Sequence, residues 1–116
     1  MKFMMLIYSP PDVRADLEAR PSFDAWAGYS ASLREAGVHL AENPLQGLET
    51  ATTVRVRDGE TLISDGPFAE TKEMLGGYYL VDLPSREAAV EWAARVPNAP
   101  YGSIEIRPIM EFPDAP

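Results

Sequence analysis

The spacing of apolar and polar positions changes several times along the chain, and each change marks an element. Phe3 to Tyr8 (FMMLIY) is apolar at almost every position, too short for a stable helix, and closed by Pro10-Pro11. It predicts a strand with apolar side chains on both faces. From Ser22 the period lengthens to three or four. Phe23, Trp26, Ala27, Ser30 and Leu33 or Ala36 then share one face, with Ser22 placed to cap the first amides and Gly37 to close the C-terminus. A helix from Ser22 to Ala36 follows. Gly28 inside it costs about 1 kcal/mol relative to Ala, which predicts close packing there.

Val38 to Leu40 starts a second strand that Asn43-Pro44 and Gly47 interrupt. Thr52 to Arg57 alternates Thr and Val with Arg, Asp58-Gly59 turns the chain, and Glu60 to Ser64 returns, which makes a hairpin. After a polar passage, Gly77 to Leu83 is a β-branched and aromatic strand. Pro84-Ser85 opens a second helix whose Ala89, Trp92, Ala93 and Val96 lie three or four apart, ended by Pro97 and Pro100. Ser103 to Ile109 alternates Ile with polar residues and closes the chain as a strand.

Strand, helix, strand, hairpin, strand, helix, strand is the order of an α+β ferredoxin-like plait, with helices over one sheet face. FMMLIY and GGYYLVDL are apolar on both sides, so the other face also needs a cover. A homodimer in which two such faces pack together supplies one.

Composition narrows the function classes. A chain of 116 residues, 46% hydrophobic and 24% charged, fits one ordinary globular domain. The absence of cysteine excludes disulfides, thiol catalysis and cysteine-ligated metals. A formal charge of −8 without a basic cluster predicts no nucleic-acid partner. No apolar run is long enough to span a membrane. MKFMMLIYSPPD lacks a cleavage pattern and reads as a first strand, so a cytoplasmic protein is expected.

The polar passage in LISDGPFAETKEMLGGYYLVDL is longer and more charged than a hairpin turn requires. Asp65 is placed to accept from amides two residues on, Gly66 permits positive φ, Pro67 fixes its own φ, and Phe68 is available as an anchor. Two readings stand side by side: an Asx-turn followed by a solvated Lys72-Glu73 pair, or a general base at Asp65 with Lys72 as anion partner.

DGPFAETKEMLGGYYLVDLPSREAAVEWAARVP, GSIEIRPI and the opening MKFMMLIY resemble the YCII-related family, in particular the branch named for its Asp-Gly-Pro-Phe motif. The resemblance covers almost the whole chain and is weakest from Ala41 to Ala51. It implies a dimeric α/β barrel of ferredoxin-like subunits. Some family members carry a His-Asp pair lining a cleft, and a few act on chlorinated or hydroxylated aromatic breakdown products. Asp65 matches the Asp of the motif, whereas the helix-one His falls near Trp26 here.

The only histidine, His39, has the right unperturbed pKa for proton transfer. It would approach Asp65 if its strand lay beside the one ending there. His39 with Glu42 is not a metal-ligand signature, and no metal or other cofactor is expected. Tyr78 offers a phenol and Arg107 a guanidinium to a small oxygenated ligand. The candidate set is thus Asp65 and His39 for catalysis, with Phe68, Lys72, Tyr78 and Arg107 as ligand contacts. The expected protein is a homodimer binding a small molecule, with acid/base isomerisation or elimination as its reaction. The alternative is a non-catalytic dimeric module whose loop is architectural.

Overall fold

The computed structural model describes residues 1–12, 20–67 and 71–113. Among the described residues, six strands and two helices carry the fold. They are β1 (Lys2–Ser9), α1 (Phe23–Glu35), β2 (His39–Pro44), β3 (Thr52–Arg57), β4 (Glu60–Asp65), β5 (Met74–Asp82), α2 (Arg86–Ala94) and β6 (Ser103–Pro108). Four strands form one antiparallel sheet in the order β2-β5-β1-β6, and β3 and β4 pair separately. Without the hairpin the core strands run 2-3-1-4, which is the ferredoxin-like plait.

Local chemistry sets the boundaries. The Ser22 hydroxyl accepts from the Ala25 amide at 3.2 Å, and the Ser85 hydroxyl from the Ala88 amide at 3.1 Å, so both helices start at a serine cap. At the far end of α1, Gly37 takes φ +75, its amide bonds Arg34 O, and the Val38 amide bonds Leu33 O. Those paired bonds are the glycine-dependent Schellman closure. Asp58 and Gly59 both have positive φ, as a two-residue hairpin turn needs.

Both helices pack on the sheet face carrying Phe3, Met5, Ile7, Tyr79 and Val81. Leu33 of α1 and Ala89 and Ala93 of α2 complete this core. The opposite face carries Met4, Leu6, Tyr78 and Leu80 in two cross-strand pairs, Met4 with Leu80 and Leu6 with Tyr78, all only half-buried.

Three expectations need correction. Asn43-Pro44 does not interrupt β2, because β2 is an edge strand and Pro44 is its last residue, where a missing amide costs no ladder bond. β5 begins at Met74, three residues earlier than the aromatic run suggests. Gly28 does not mark close packing among the described residues: a Cβ there would meet none of them within 4 Å. Glycines that do allow close approach are Gly77, where a Cβ would come 2.9 Å from the Asn43 carbonyl of β2, and Gly102, where it would collide with the Tyr8 carbonyl of β1.

Candidate functional site

The largest assembly of polar side chains lies between α1 and the β2 edge. Ser30 occupies a core-facing position of α1, and its hydroxyl donates to Glu42 Oε2 at 2.8 Å. It also lies 2.9 Å from the Tyr79 hydroxyl, in the buried interior. The other carboxylate oxygen of Glu42 accepts from Arg34 at 2.7 Å and meets His39 Nε2 at 3.0 Å. Since a carboxylate only accepts, the contact puts the imidazole proton on Nε2. Burial works to raise the Glu42 carboxyl, but the hydrogen bonds from Ser30 and His39 and the charge of Arg34 outweigh it and hold the group below its ordinary value. Tyr79 moves the other way, because burial and the Glu42 charge together exceed the help of the Ser30 hydrogen bond.

Register explains why these residues meet. His39 pairs with Val81 and Glu42 with Tyr79, with an irregularity after His39, so both point to the helix-covered face. Tyr29 packs edge-on against Tyr79, centroids 5.2 Å apart, and its hydroxyl donates to Trp92 O at 2.8 Å. Each side chain in this set has at least one hydrogen-bond partner, as burial of such a network requires.

The Asp65 loop is built differently. Asp65 ends β4 and is exposed, and among the described residues its carboxylate meets no donor. The expected Asx-turn is not formed, because the residue two positions on, Pro67, has no amide to donate. Gly66 pins the loop instead: its amide donates to Ala51 O at 2.7 Å, its carbonyl accepts from Thr53 Oγ1 at 2.8 Å, and its φ of +98 suits glycine. Beside it lies an open concavity of about 410 Å³ walled by Leu48, Glu49, Gly66, Pro67 and Thr71.

The expected approach of His39 to Asp65 does not occur. β2 pairs with β5, while β4 pairs with β3 in a separate sheet, and the imidazole is engaged by Glu42. Lys72 is exposed, and the expected Lys72-Glu73 pair is absent because Glu73 accepts from the Ser103 hydroxyl at 2.8 and 2.9 Å. Tyr78 and Arg107 do share a face, the one without helices, reached through Leu6 and Met4 of the strand between them. Asn43 donates to the Tyr78 hydroxyl at 2.7 Å, which leaves the phenol proton available. Phe68 lies outside the described residues.

Sequence reasoning missed Ser30, Arg34 and Tyr79 as members of one network. The signal was present in one place: Ser30 is the polar residue in the apolar stripe of α1.

A family model described as YCII-related domain matches residues 1–113. The chain belongs to the YCII-related family. An uncharacterized protein of Rhizobium meliloti (strain 1021) is 49% identical over 61 residues, 51% of this chain. The match spans about half (49%) of that relative's own length. Among solved structures, 5-chloro-2-hydroxyhydroquinone dehydrochlorinase (TftG) of Burkholderia phenoliruptrix, in complex with 2,5-dihydroxybenzoquinone, is similar at a TM-score of 0.59. The identity is 13%, over 97% of this chain and 96% of that one. At that identity the likeness shows that the YCII-related chain shares the neighbour's α+β fold. Among the described residues no helix is long and apolar enough to cross a membrane.

Proposed function

We propose that this YCII-related chain is a cytoplasmic homodimer of the Asp-Gly-Pro-Phe branch that acts on a small oxygenated organic molecule by proton transfer, as in isomerisation or elimination. The observation that carries this reading is the exposed Asp65 carboxylate at the end of β4, which meets no donor among the described residues and directly precedes Gly66 and Pro67, two residues that wall the concavity. A carboxylate on a pinned loop, met by no amide among the described residues, is available as a general base. Asp65 takes the proton from a carbon next to a carbonyl, and Lys72, farther along the same loop, holds the oxygen that gains charge. Tyr78 and Arg107 bind the substrate's other oxygens from the uncovered sheet face, and Phe68 adds an apolar contact. His39 has no part in the step, since Glu42 engages it on the other face.

Two facts support the reading from outside the loop. The dehydrochlorinase of similar fold is named for an elimination on a hydroxylated ring. The chain also exposes 8116 Å², where a compact monomer of this mass exposes roughly 6,300 Å². The excess is about twice the roughly 800 Å² that a standard interface removes from one partner and is of the order of an obligate homodimer's share, and the Met4, Leu6 and Leu80 part of the uncovered face is the surface to hide.

The test combines a substrate panel with one variant. Hydroxylated and chlorinated hydroquinones are offered to the purified protein, and turnover is followed by absorbance. The expected result is one converted compound, a loss of at least 100-fold in kcat for Asp65→Asn, and an unchanged melting temperature. Equal turnover by the variant would remove Asp65 from the chemistry. The competing reading, a non-catalytic dimeric module, is favoured by the openness of the concavity and by the engaged His39. It gains if light scattering gives a mass twice 12.8 kDa while no panel member binds.

A further inference from the structure

Away from the Asp65 loop, a groove of about 490 Å³ runs between α1 and the turn after α2. Pro21, Ala25, Gly28, Tyr29, Arg95 and Tyr101 line it. Two features of this groove are not explained by folding among the described residues. Gly28 is exposed in the interior of a 13-residue helix, and no described residue stands within 4 Å of where its Cβ would be, so packing against them does not require glycine. The Arg95 guanidinium lies over the Trp92 ring, 4.2 Å from guanidinium carbon to centroid, and has no carboxylate partner among the described residues. That cation–π contact holds the group in place and leaves N–H donors for a ligand.

The lining is otherwise aromatic or apolar, or has its polar group already satisfied. The Tyr29 hydroxyl donates to Trp92 O, and the Ser32 hydroxyl beside the groove donates to Gly28 O at 3.0 Å. Tyr101 presents a half-exposed ring. One positive fork at the end of an apolar, ring-lined trough matches one kind of small molecule. We propose that this groove binds a monocyclic carboxylate, the carboxylate paired edge-on with Arg95 and the ring lying over Gly28 against Tyr101. A side chain at residue 28 would occupy the space of the ring, which gives the otherwise unfavourable glycine a reason. The site is separate from the Asp65 loop and does not depend on its chemistry.

Benzoate is the probe and benzamide its neutral match, each titrated into the ¹⁵N-labelled full chain at low salt. Saturable shifts at the Gly28, Tyr29 and Ser32 amides and at the Arg95 Nε–H are expected with benzoate, and at least tenfold weaker binding with benzamide. Arg95→Gln should weaken benzoate at least tenfold, the loss of a two-bond charged pairing. Gly28→Leu should abolish the shifts. Gly28→Ala should weaken binding while raising the melting temperature by a few degrees, since alanine favours the helix and meets no neighbour. Because the alanine variant gains stability, its loss of binding cannot be a folding defect. Equal affinity for benzamide, undiminished binding by Arg95→Gln, or shifts confined to the Asp65 loop would each overturn the assignment.

Discussion

The two polar regions of this molecule differ in what their side chains do for one another. Beneath α1, the residues that look most chemical in the sequence, His39 and Glu42, are tied to Ser30, Arg34 and Tyr79. On the hairpin side, Asp65 and Lys72 are exposed and have no side-chain partner among the described residues, and the backbone of Gly66 holds the loop. A titratable residue whose hydrogen bonds are all satisfied internally contributes to stability, and one that is presented without partners is available to a ligand. By that criterion the pair closest to an enzyme's acid and base in residue type is structural here, and the solitary Asp is the candidate.

The sharpest way to break this contrast is to delete the hub of the network. Glu42→Ala removes one charged acceptor from three donors and leaves Tyr79 and Ser30 buried without it. Hydrogen bonds to a charged group are worth roughly 1.5–3 kcal/mol, and partial exposure of Arg34 puts the expected loss near 2 kcal/mol. In thermal unfolding at fixed protein concentration, that is a drop of roughly 8 °C. A variant that melts like the parent but loses turnover would move the active site to the network.

A milder probe of the same hub is pH. The folded Glu42 carboxyl lies below its ordinary value of 4.5, so the folded state binds its proton less readily than the unfolded chain does. Its stabilisation is therefore complete above 4.5 and disappears as pH falls through the lower, folded value. The difference in urea unfolding free energy between the parent and Glu42→Gln should shrink as pH falls below about 4.5. A difference that grows below that pH would mean the carboxylate is not favoured in the fold.

Much of the plait was legible because its signals are local. The two serine caps, the closing Gly37, the Asp58-Gly59 turn and the alternation in TTVRV and SIEIR each depend on a few neighbouring residues, and all are realised. The errors fall where sheet order decides. Pro44 reads as a breaker only if its strand is central, and His39 reads as a partner of Asp65 only if β2 lies beside β4. Neither position is encoded within one segment. The network was hidden for the same reason, since Ser30, Glu42 and Tyr79 come from three elements, and only the Ser in the stripe of α1 betrays it.

The hairpin side supplies a contrast between adjacent residues. Gly66 adopts φ +98 and makes both of the loop's pinning bonds through its backbone. An alanine there carries left-handed strain of roughly 1–2 kcal/mol, so Gly66→Ala should lower the urea midpoint clearly. If it does not, the loop is held by something other than this turn.

Asp65→Asn should be the smallest effect on the fold. The carboxylate accepts nothing among the described residues, so no hydrogen bond is lost, and exposed substitutions of this kind stay within about 0.5 kcal/mol. Removing one negative charge from a chain of net charge −8 relieves self-repulsion slightly, which favours the variant if anything. Urea unfolding should therefore superimpose on the parent, and that equality is what makes the variant a clean probe of chemistry. A loss near that of Glu42→Ala would show Asp65 to be engaged in the same manner as the network, and the distinction between the two regions would collapse. An unchanged midpoint combined with lost turnover would leave Asp65 free for substrate, because a side chain that does nothing for the fold has no other route to an effect on rate.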